Sequence, residues 1–140
     1  MSLSLIIRIS AGYIGLWVLM MVLTPTMVAS DLFGVELTET LKEQIQFTAI
    51  AAVGVGSMQW MVTSWAPEYM AKFGRLTAAF WAAFAILNVS LISSGTIIAS
   101  GQNYSTSLIM VALAALLWVK SKSKWLAGEA CYLEQPPHGL

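Results

Sequence analysis

From Ile45 to Trp65 the chain runs through twenty-one positions without one charged side chain. As a helix at 1.5 Å per residue that stretch is about 31 Å long, close to the thickness of a bilayer's hydrocarbon. Three further stretches share its character: Leu3 to Leu23, broken only by Arg8, then Leu76 to Ala99, and Ser105 to Val119. The last is the shortest, and it reaches full width when Tyr104 and the lysines beyond it snorkel to the interfaces. A strand reading fails, because the apolar runs neither alternate nor stop at strand length. Only 10% of the residues are charged, against about 25% in soluble domains. Lipid is the solvent in which so much apolar surface can face outward while helices satisfy their own backbone.

The expected fold is therefore all-α: an integral-membrane protein of four transmembrane helices in an up-down-up-down antiparallel bundle, since short connections favour antiparallel neighbours. The spans, approximately 3–23, 45–65, 76–99 and 105–119, form one domain over 1–125. A tail over 126–140 follows, held down by a neighbouring chain or by the protein's own inner face, with Pro136 and Pro137 preventing helix continuation there. The first segment resembles a signal peptide in having Arg8 before an apolar run, but an uncleaved first helix is the better reading.

Orientation follows from the cations. With the N-terminus inside, Arg8, Lys72, Arg75, Lys120, Lys122 and Lys124 share the inner side, and Lys42 alone lies outside. Such asymmetry places both termini on the cytoplasmic side of a bacterial inner membrane or an equivalent organellar membrane. The outer loop collects Asp31, Glu36, Glu39 and Glu43, and its acidity exerts little topological force. In that loop Pro25 ends the first helix, and Thr40 with Glu43 forms a capping box for the second. Arg8, Arg75, Lys120, Lys122 and Lys124 are the expected contacts for lipid headgroups or partners. For the "KSKSK" run the alternatives are a topological anchor and recognition of an acidic lipid or partner.

Several functions are excluded by what the chain lacks. A net charge of zero argues against a nucleic-acid partner. Cys131 is the only cysteine and His138 the only histidine, both outside the spans, so thiol-disulfide cycling, bis-histidine haem ligation and a structural zinc site have no ligands. No carboxylate falls within the four apolar cores, which speaks against proton-coupled export.

Polar groups within the spans are the remaining candidates. Arg8 either snorkels to headgroup phosphates or meets a buried partner such as an acidic residue of the tail. Gln59 and Asn88 lie in the second and third spans, where they act as glue between helices, facing each other, or as ligand-binding amides. Phe80, Trp81 and Phe84 pack in the core or against lipid, wall a pocket for an aromatic or isoprenoid molecule, or stack on another subunit. Gln59, Asn88, Trp81 and Phe84 thus make up a candidate ligand site. Small residues mark the expected packing faces: Ala52 with Gly56 on the second helix, and Ala79, Ala83, Ser90 and Ser94 on the third. These two faces are expected to pack together.

The function this composition favours is that of a small non-catalytic membrane protein, a structural or accessory subunit of a homo-oligomer or larger membrane complex. Membrane lipids and other subunits would be its partners. The alternative is a binder or carrier of a lipid, quinone or pigment. No cofactor or metal is evident, and no catalytic residue is assigned.

Overall fold

A computed structural model describes the backbone of residues 1–133 and the side chains of residues 1–122. Four long helices dominate: α1, Leu3–Leu23; α2, Glu39–Trp65; α3, Met70–Ser93; and α4, Gly101–Leu133. Among the described residues no strand forms. Each of the four contains a stretch long and apolar enough to cross a membrane.

The helix ends have local causes. Ser2 caps α1 by accepting a hydrogen bond from the Leu5 amide at 3.3 Å. Beyond Leu23 comes a turn at Pro25–Met27, then a π-helical turn, Val28–Phe33, that ends at Gly34 with φ +68°. A side chain at Gly34 would be strained by that angle and would also strike Ile98. Thr38, not Thr40, caps α2: its backbone is extended and its hydroxyl accepts from the Leu41 amide at 3.2 Å. The expected Thr40 and Glu43 box therefore lies inside the first turns of the helix.

α3 begins and ends earlier than the apolar run suggests. Lys72 and Arg75 belong to it, and it stops at Ser93 in a Schellman turn, with Gly95 at φ +73°. The Gly95 amide donates to the Ile92 carbonyl and the Thr96 amide to that of Leu91. Ile97 to Ala99, counted as span, are thus irregular connection. α4 errs in the opposite sense. Hydropathy falls at Lys120, but Lys, Leu, Ala and Glu favour helix and no proline intervenes, so the helix continues to Leu133. The expected tail is helical over its first eight residues; residues 134–140, with Pro136, Pro137 and His138, lie outside the described residues, as do the side chains of Lys124 and Cys131.

α2 packs chiefly on α1, and α3 on α4. α1 also reaches α3 and α4, through a core that includes Leu3, Ile6, Ile7, Trp81, Leu113 and Leu117. α2 and α3, although joined by only the four residues 66–69, barely touch along their lengths. A smaller cluster of Val28, Leu32 and Ile45 closes the far end of the α1 and α2 pair.

Candidate functional site

Two helices approach closely at Gly74 of α3. A Cβ there would collide with Ser121 Oγ of α4 and lie 3.2 Å from Leu3 Cδ1 of α1. Ser121, from the middle of the "KSKSK" run, is wholly buried, while Lys122 beside it is exposed. The run is therefore helix, with Ser121 turned into the protein. The buried stripe of α3 continues through Ala78, Trp81 and Ala85.

Trp81 belongs to this core. Its indole N–H donates to Ser10 Oγ of α1 at 2.7 Å, and its ring lies tilted against Tyr13. The Phe80 and Phe84 rings lie tilted against each other, centroids 4.7 Å apart, on an exposed part of the same helix. One residue is about 100° of helix rotation, so Phe80 points well away from Trp81; Phe84, three residues on, is only about 60° from Trp81 but is exposed where Trp81 is buried.

Gln59 and Asn88 do not face each other. Gln59 precedes the end of α2 by six residues and Asn88 follows the start of α3 by eighteen. Measured from the connection that joins those ends, their depths differ by about 18 Å at 1.5 Å per residue. Both amide oxygens are nonetheless buried without a hydrogen-bond donor, as is Ser121 Oγ. Gln59 is the most enclosed of the four expected ligand-site residues, at 2% exposure.

The expected pairing of small faces is also replaced. Gly56 lies against Ala11 and Ile14 of α1, with Ile14 Cγ2 3.4 Å from where its Cβ would stand. Ala52 is half-buried beside it on the same face. Ala79, Ala83, Ser90 and Ser94 are all exposed. At 100° per residue they share one face of α3, roughly opposite the buried stripe of Gly74, Ala78 and Ala85. An alanine-rich helix offers small residues all round, and among the described residues only the second face is used.

Arg8 is exposed on α1 and held by α2. Its Nε donates to Thr63 Oγ1 at 3.2 Å, and its guanidinium carbon lies 5.4 Å from the centre of the Trp60 ring. Thr63 Oγ1 in turn donates to the Trp60 carbonyl. Among the described residues a threonine and an indole hold the cation; the acidic residues of the tail lie outside the residues whose side chains are described. Arg75 is half-buried and Lys120 likewise.

Asn103 was hidden in what reads as a loop. It is 1% exposed, and its Nδ2 donates to the Leu32 carbonyl at 3.3 Å and the Ile98 carbonyl at 2.7 Å. It thereby clasps the connection after α1 to the connection before α4. The π-helical turn leaves the Leu32 carbonyl available, and no sequence motif announces that. Among the described residues no cluster of three potential metal ligands occurs. Neither a protein-family model, nor a curated protein, nor a solved structure matches the chain.

Proposed function

We propose that the chain is a non-catalytic, multi-pass membrane protein that serves as a packing subunit of a homo-oligomer or larger membrane complex. In this reading the four helices run up-down-up-down, with both termini on the cytoplasmic side. Its support is that the Arg8 contact with Thr63 and the Gly74 approach to Ser121 gather the Arg8, Lys72, Arg75 and lysine-run ends together, in line with the positive-inside bias.

The observation that carries the assembly reading is the small face of α3 that the described residues leave uncovered. Lipid gives helices no hydrophobic reason to associate, so contact energy comes from close backbone approach at small residues. Ala79, Ala83 and Ser90 present such a face to the exterior, while a separate stripe already serves the chain's own core. A small molecule held jointly by Gln59, Asn88, Trp81 and Phe84 has less support, since Gln59 lies on α2, which barely touches α3, and the Trp81 N–H is taken.

Native mass determination in mild detergent tests the proposal. An assembly heavier than the 15.2 kDa chain is expected, and Ala83→Leu, which fills an exposed face without touching the core, is expected to dissociate it. A wild-type protein that runs as a stable monomer under those conditions would sink the reading.

A further inference from the structure

We propose that a groove between α1 and α2 seats one acyl chain of a membrane phospholipid, and that the Arg8 guanidinium at its end grips the phosphate. The inference rests on the membrane reading above and is independent of self-assembly. The groove has a volume of about 280 Å³. Its floor and sides are made of small residues, including Gly12 and Gly15 from α1 and Gly56 and Ser57 from α2, with Val18 and Trp60 as taller walls. A Cβ at Gly12 or Gly15 would meet nothing within 4 Å, so the open side of the groove is bare of side chains. Between Ala11 and Val18 it extends about 10 Å along α1 at 1.5 Å per residue, a length suited to part of one acyl chain.

The charge at its end chooses the occupant. Trp60 both lines the groove and underlies the Arg8 guanidinium, so cavity and cation are contiguous. Arginine carries five N–H donors in a planar fork. Thr63 takes only Nε, and among the described residues no carboxylate pairs with Arg8. Arg8 is exposed, and its side chain is held by Thr63 and Trp60 about 8 Å along α1 from its start. At that depth an uncompensated cation is costly, and a phosphate oxygen is its natural bidentate partner. A second copy's helix laid in the groove would instead bring an apolar surface over the charge, because the apolar cores of the spans carry no carboxylate. A phospholipid supplies the anion and the hydrocarbon in one molecule.

Native mass spectrometry of the full chain in mild detergent, supplied with phosphatidylglycerol or with diacylglycerol of the same chains, reads the outcome. One phosphatidylglycerol per chain is expected to be retained, and diacylglycerol to be lost. Arg8→Gln should lower retention about tenfold or more, as for loss of a hydrogen-bonded charge. Arg8→Lys, which keeps the charge and loses the fork, should fall between, and it guards against misfolding of the glutamine variant. Gly15→Leu should fill the groove and lower retention while helix content by circular dichroism stays unchanged. Equal retention by wild type and all three variants would overturn the proposal. So would a dimer that Gly15→Leu dissolves while bound lipid is unaffected, since the groove would then seat a second copy. A chain that stays dissolved without detergent is a separate failure, that of the membrane reading itself.

Discussion

The α3 and α4 pair and the α1 and α2 pair solve the same problem with opposite economies of space. Between α3 and α4 there is no room for a Cβ at Gly74, and the contact is sealed by a wholly buried Ser121. Between α1 and α2 the small residues do not close up: Gly56 meets Ala11 and Ile14, yet Gly12 and Gly15 face open space beside it. Small residues therefore permit close packing without ensuring it. What decides is whether the facing helix presents a complementary surface at the same depth.

The largest expected effect lies on the tight side. Gly74→Val should cost about 1–3 kcal/mol, the usual range for forcing volume into a packed core, measured as a shift in unfolding by sodium dodecyl sulfate in mixed micelles. Adding Ser121→Gly to it should restore part of the loss, because the colliding hydroxyl is then gone. No rescue would mean that Leu3, rather than the partner helix, sets the limit at this point. By contrast, the Gly15→Leu variant on the loose side should leave stability unchanged.

The same contrast explains what could be read from the sequence. Four spans were legible because length and charge depletion alone define them. Their ends were less so. The apolar count ran past Ser93 through Ile97 and Ile98, although the left-handed Gly95 had already ended the helix. Which faces pack was not legible at all. In water, burial would write a polar and an apolar side onto each helix, whereas lipid-facing and protein-facing residues are both apolar in a bilayer. Ala79 and Ala83 thus look as suitable as Ala78 and Ala85, and only the three-dimensional partner separates them. Asn103 escaped for another reason: its acceptors, Leu32 and Ile98, come from two irregular connections that no periodicity describes.

A middle-sized effect is expected where the two pairs are tied together. Trp81 of α3 donates to Ser10 of α1, both buried, across the centre of the protein. Trp81→Phe keeps an aromatic ring and removes the donor. Interhelical hydrogen bonds in membranes are worth about 0.6 kcal/mol on average and up to about 1.7. A double-mutant cycle with Ser10→Ala should give a coupling within that range, and zero coupling would show that the tryptophan acts through packing alone.

The smallest effect, and the one whose sign matters most, concerns Gln59 on the loose side. Its amide oxygen is buried without a donor, and leaving such a group unmet costs about 1–3 kcal/mol. Gln59→Leu replaces the amide with an apolar group of comparable length, so its stability should be neutral or slightly raised in the same unfolding titration. A loss of more than about 1 kcal/mol, the net worth of an ordinary hydrogen bond, would mean that the oxygen is met in the membrane by a bound donor such as a water or a lipid hydroxyl. Repeating the titration after delipidation separates those two donors, because only the lipid's share would vanish. A neutral result would instead place Gln59 with Gly56 as part of a face that tolerates loose packing against α1.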